Sequence, residues 1–168
     1  MRRRLFFVLA LPMTMAAMVM AAPSALAVSP HFISASAQLS GTNLVVSFKE
    51  AGLGTNQLIN YTASADATAT YVCVNKGGSN PSASNKTTVS GPVSASGTFN
   101  SGKNGNVVGS LTIMPPSTTL TCPKGQSLQI AEVTYTNVAI TDTTNGVTEP
   151  IPGTFSTGCL LPDVRGAC

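Results

Sequence analysis

The sequence predicts an all-β domain, and three observations predict it. Short apolar runs alternate with polar residues at a period of two, glycine, proline and asparagine clusters separate those runs at short intervals, and no helical stripe persists beyond the first 27 residues. Successive side chains of a strand point to opposite faces, so this alternation marks half-buried strands. Abundant threonine and valine agree with it, because β-branched side chains pack well on a pleated surface.

The N-terminus has a different character. Met1-Arg2-Arg3-Arg4 is a compact cationic cluster, Leu5 to Met20 is apolar, and Pro23-Ser24-Ala25-Leu26-Ala27 ends in the small-x-small pattern of a cleavage site. This is the form of a helical, cleavable signal peptide over residues 1–27, with residues 28–168 as a single exported domain. The apolar run is too short for a spanning helix and is broken by Pro12, so no membrane association is expected after cleavage.

Setting the signal aside changes the charge. The full chain carries +3, but Arg2, Arg3 and Arg4 supply all of that excess. Lys49, Lys76, Lys86, Lys103, Lys124 and Arg165 then balance Glu50, Asp66, Glu132, Asp142, Glu149 and Asp163. A neutral domain with few aromatic residues has neither the basic patch nor the stacking rings of a nucleic-acid binder. Of the six methionines only Met114 remains, which excludes an adaptable methionine-rich binding surface.

Strands follow in order. Phe32 to Leu39 alternates weakly; Asn43 to Lys49 places Leu44, Val46 and Phe48 on one face. Leu58 to Ala63 and Ala67 to Asn75 read as two further strands, with Tyr71 and Cys73 sharing a face in the second. After the polar loop 76–86, Thr87 to Ser90 and Val93 to Phe99 form short strands around Gly91-Pro92, and Asn106 to Met114 forms another, stopped by Pro115-Pro116. Ser127 to Thr143 is the longest run, long enough to bend or to contain a bulge. Asn145-Gly146 then signals a hairpin into Val147 to Phe155. About eight such strands fit an antiparallel, immunoglobulin-like sandwich.

Cys73, Cys122, Cys159 and Cys168 all lie in the exported part, and an even count in an oxidising compartment reads as two disulfides. Three pairings are possible. The favoured one joins Cys73 to Cys122 within the domain body and Cys159 to Cys168 across a C-terminal tail, residues 158–168. No C-x-x-C spacing or histidine partner supports a metal site, and no cofactor is expected.

Val46-Ser47-Phe48-Lys49-Glu50-Ala51-Gly52-Leu53-Gly54 and Tyr61 to Cys73 resemble a family of small secreted β-rich proteins from soil actinobacteria and filamentous fungi. Gly91 to Phe99, Tyr135 to Val138 and Ile151 to Phe155 are similar to it as well, so the resemblance covers roughly residues 44–156. It implies secretion, a β fold and the Cys73–Cys122 pair. No activity is assigned to that family, so no functional residue is carried over.

Chemistry is sparse. His31 is the sole histidine, and no G-x-S-x-G elbow accompanies it, so no catalytic residue is assigned. Glu132 shares a strand face with Leu128 and Ile130 if the period holds; a carboxylate there would be raised in pKa and functional, whereas a bulge or an edge would leave it in solvent. Lys49, Glu50 and Asp66 are placed beside loops at one end of the sandwich. Asp66, Asp142 and Glu149 lack the spacing of a calcium loop. With no tryptophan present, Tyr61 and Tyr135 are the candidate rings for a sugar platform. Asn60 and Asn85 open glycosylation sequons.

Two functions follow as expectations. The first is a secreted, non-enzymatic protein binding a polysaccharide, surface or protein partner through its loops. The alternative is a small secreted hydrolase with an acidic pair that includes Glu132.

Overall fold

A computed structural model describes residues 29–78 and 85–168, so the signal peptide expected over residues 1–27 and residues 79–84 of the polar loop lie outside the described residues. The chain forms two antiparallel sheets. Strands β1 (His31–Ser40), β2 (Asn43–Ala51) and β5 (Val107–Ile113) make one, in the order β1-β2-β5. The other holds β3 (Leu58–Asn75), β4 (Lys86–Asn100), β6 (Gln126–Asp142) and β7 (Val147–Ile151) in the order β4-β3-β6-β7, with the short β8 (Phe155–Ser156) also paired to β6.

Several elements differ from the sequence reading. The two strands expected between residues 58 and 75 are one, and so are the two around Gly91-Pro92. Pro92 is tolerated because β4 is an edge strand, where a missing N–H leaves no neighbour without its bond. The last expected strand divides into β7 and β8 across Pro152-Gly153.

The core lies between the inner faces. Leu44, Val46 and Phe48 of β2 meet an alanine row, Ala63, Ala65, Ala67 and Ala69, on β3. These small side chains leave room for the larger ones, and Tyr61 and Tyr71 bracket the row. At the Tyr61 end, Phe32, Phe48 and Phe99 surround that ring in mostly edge-on contacts of 4.5–6.3 Å. Gly109 faces this cluster because nothing larger fits: a Cβ there would come within 2.7 Å of Phe99 and 2.9 Å of Phe48.

β6 carries the main departure from simple alternation. Its register against β3 shifts twice, once where Ala131 is the extra residue and once where Asn137 and Val138 together oppose Ala65. Each bulge moves the following residues to the other face. Ile130 therefore points inward, Val133 and Tyr135 take over the inner face after the first bulge, and Val138, Ile140 and Asp142 do so after the second.

Both disulfides formed as favoured, Cys73–Cys122 and Cys159–Cys168, as expected of an oxidising compartment. By loop entropy they contribute about 4 and somewhat under 3 kcal/mol. The second closes the tail, whose Leu161, Val164 and Ala167 cover Val72, Val74 and Ala131 on the outer face of the larger sheet.

Candidate functional site

The outer face of the larger sheet is lined with hydroxyl groups. Cross-strand pairs at 2.9–3.1 Å link Thr62 with Ser96, Thr68 with Ser90, Thr70 with Thr88, Thr134 with Ser156 and Thr141 with Thr148. Such pairs add modestly to sheet stability and hold the side chains in fixed positions.

The second β6 bulge interrupts this array. Asn137 adopts a left-handed backbone conformation, φ 51°, which asparagine tolerates better than other residues with a Cβ. The bulge aims its side chain onto the outer face, where Nδ2 donates to Asp66 Oδ2 at 2.8 Å. Asn137 also lines two adjoining depressions. One, about 340 Å³, lies over Ser64, Asp66, Pro92 and Ser94; the other, about 510 Å³, lies over Ala139, Pro150, Pro152 and Gly153.

Register explains why a groove runs here. Ser94, Ser64, Ala139 and Pro150 stand side by side across β4, β3, β6 and β7, and the next row contains Pro92, Asp66 and Thr136. Ser64 and Ala139 occupy the middle of the first row, and a proline ring ends each row on one side, Pro150 in the first and Pro92 in the second. Four strands span about 14 Å from first to last. Asp66 and Asn137 commit one oxygen and one N–H to each other, and both residues line the smaller depression. The groove thus offers a planar carboxylate and a planar amide at its centre with flat apolar surfaces at its ends. Few converging polar groups within an apolar wall are the usual features of a small-ligand site. A third depression of about 460 Å³, over Asn60, Thr62, Ser96 and Thr98, continues the face toward one end.

The sequence candidates are placed differently. Tyr61 and Tyr135 are both 0% exposed, so neither ring forms a sugar platform. Strand parity put them on the inner face, and Tyr135 spends its hydroxyl on the Thr42 carbonyl at 2.8 Å. Burial, with a smaller contribution from Tyr71, pushes that phenol up to about 12. Glu132 does not share a face with Ile130, because the first bulge turns it outward beside Thr70, where it accepts from Ser156 Oγ at 3.4 Å. Asp66 lies in the middle of β3 and not beside a loop. His31 is exposed and its Nδ1 bonds to the Ser29 carbonyl at 2.8 Å. Asn60 accepts from Thr98 Oγ1 at 2.7 Å, and Asn85 donates to Gln126 Oε1 at 3.2 Å.

Sequence reasoning missed a second carboxyl cluster. Glu50 of β2 is 0% exposed and reaches from the smaller sheet toward Tyr61 and Asp142, which are register partners in the larger one. The signal was present: Leu44, Val46 and Phe48 set the parity of β2, and Glu50 continues it inward. Among the described residues no group of three or more histidine, cysteine or acidic side chains could hold a metal ion.

Searched against family models, curated proteins and solved structures, the chain matches none.

Proposed function

We propose that the protein is exported, with residues 1–27 as its cleavable signal, and that it works outside the cell as a non-enzymatic binding protein. Its ligand is a neutral glycan, held in the groove of the larger sheet and not by the loops. The observation that carries this reading is the Asp66–Asn137 pair, fixed by a bulge between two depressions that meet at Asn137. A carboxylate accepts hydrogen bonds from sugar hydroxyls, an amide both donates and accepts, and proline rings pack against the C–H faces of a pyranose.

Charge narrows the ligand. Asp66 and Glu132 both face outward here, which disfavours anionic polymers and nucleic acid. No aromatic ring lines the groove, so a short oligosaccharide should bind weakly, on the order of millimolar, with tighter retention on a polymer that repeats the contact.

Two further points support the reading. The disulfides suit an oxidising exterior. The two antiparallel sheets, β1-β2-β5 and β4-β3-β6-β7, support reading the fold as an immunoglobulin-like sandwich, a scaffold used widely for extracellular recognition. The hydrolase alternative is not favoured by the geometry. Glu132 stands opposite Thr70, four residues along β3 from Asp66, which is a separation of about 13 Å or more. Glycosidic acid pairs lie about 5–10 Å apart.

The experiment is retention on insoluble neutral polysaccharides, comparing the mature protein with Asp66→Ala and Asn137→Gly. Retention of the parent and at least tenfold weaker retention of both variants is the expected result. Equal retention of all three would overturn the groove as the site.

A further inference from the structure

The buried carboxyl cluster is independent of the groove and carries an inference of its own. Glu50, Tyr61 and Asp142 are each 0% exposed, and they bridge the two sheets at the end of the sandwich that holds the β6–β7 turn. Their hydrogen bonding is unequal. Asp142 Oδ1 accepts from the backbone N–H groups of Thr144 and Asn145 at 2.8 and 2.9 Å, and Oδ2 accepts from Asn145 Nδ2 at 2.6 Å. Among the described residues no hydrogen bond reaches Glu50 Oε1, Glu50 Oε2 or the Tyr61 hydroxyl.

Three N–H groups donate to Asp142, while among the described residues none donates to Glu50. Two fully buried carboxylates that act on one another cannot both persist as charges without a counterion. Asp142 has its oxygens occupied by N–H groups, so too few are left to complete a calcium shell of six to eight oxygens. A proton is the simpler counterion. We propose that Glu50 holds its proton and points it at Asp142, latching the two sheets together as long as the medium is not alkaline.

Burial raises the Glu50 carboxyl above its ordinary value of 4.5, Asp142 on β6 raises it further, and His31 on β1 lowers it slightly; the Tyr61 hydroxyl on β3 makes no hydrogen bond to it. From β5 the register partner is Val107, which carries no charge. The unfolded chain releases this proton near the ordinary glutamate value, and the folded chain keeps it to higher pH. The latch therefore contributes in full at acid pH, weakens as pH rises through the interval between the two values, and is gone above the folded one. A protein built this way is tight in acid surroundings and loosens at the turn end as they become alkaline.

The test is denaturant unfolding across pH 4 to 9 for the mature protein and Glu50→Gln, with the carboxyl carbon of Glu50 followed by NMR in the parent. One proton taken up on folding makes the parent's folding constant fall about tenfold per pH unit relative to E50Q over the window. Hydrogen exchange at Thr143 to Gly146 should rise with pH in the parent more than in E50Q, which cancels intrinsic exchange. A Glu50 carbon that titrates at the ordinary glutamate value overturns the latch whether or not E50Q folds, as does an identical pH slope in parent and E50Q.

Discussion

Glu50 and Asp66 carry the same functional group, one near the end of β2 and the other in the middle of β3, yet their surroundings give them opposite uses. Glu50 points into the core and meets no donor. Asp66 points outward and meets the amide of Asn137. The first is a carboxyl that the fold must keep neutral, and its effect is on stability. The second is exposed to solvent and has one carboxylate oxygen left for a ligand. The contrast separates the molecule into an inner face that carries the stability and an outer face to which we assign recognition.

That separation can be broken by experiment, beginning with the largest effect. Replacing both Cys73 and Cys122 by alanine removes a link of 49 residues anchored in the core and should cost about 4 kcal/mol in urea unfolding. Removing Cys159 and Cys168, which close only 9 residues of the outer tail, should cost less, somewhat under 3 kcal/mol. Equal costs would mean that the tail contributes as much as the domain body. Gly109→Ala forces a Cβ against Phe48 and Phe99 and should cost about 1–3 kcal/mol. Asp66→Ala, at an exposed position, should change stability by no more than about 0.5 kcal/mol while losing ligand retention. A large loss of stability in that variant would make Asp66 a structural residue.

Much of the inner face could be read from the amino acids. Leu44, Val46 and Phe48 show the parity of β2 directly, Asn145-Gly146 marks its hairpin, and the cysteine pairing followed from the segments that carry the residues. β6 could not be read the same way. Leu128 and Ile130 are apolar at one parity, Val133 and Tyr135 at the other, and Val138 and Ile140 return to the first, so period two alone hides two bulges. Only the pairing with β3 reveals them, and with them the outward turn of Glu132.

The groove was illegible for a related reason. Asp66 and Asn137 are 71 residues apart, and nothing local to either announces the other. Their meeting depends on the second bulge, which follows from how β3 and β6 pair. Glu50 was legible by parity but carries a charge in water, and a charged residue at a strand end is ordinarily a solvated one. Burial by the opposite sheet overrides that expectation.

The most direct test of the central claim is an NMR titration of the mature protein with neutral oligosaccharides. Amide shifts should concentrate at Ser64, Asp66, Asn137 and Ala139 and their neighbours on β4 and β7, with the region of Glu50 unaffected. Shifts confined to the loops, or none at saturating sugar, would contradict the assignment of recognition to the outer face.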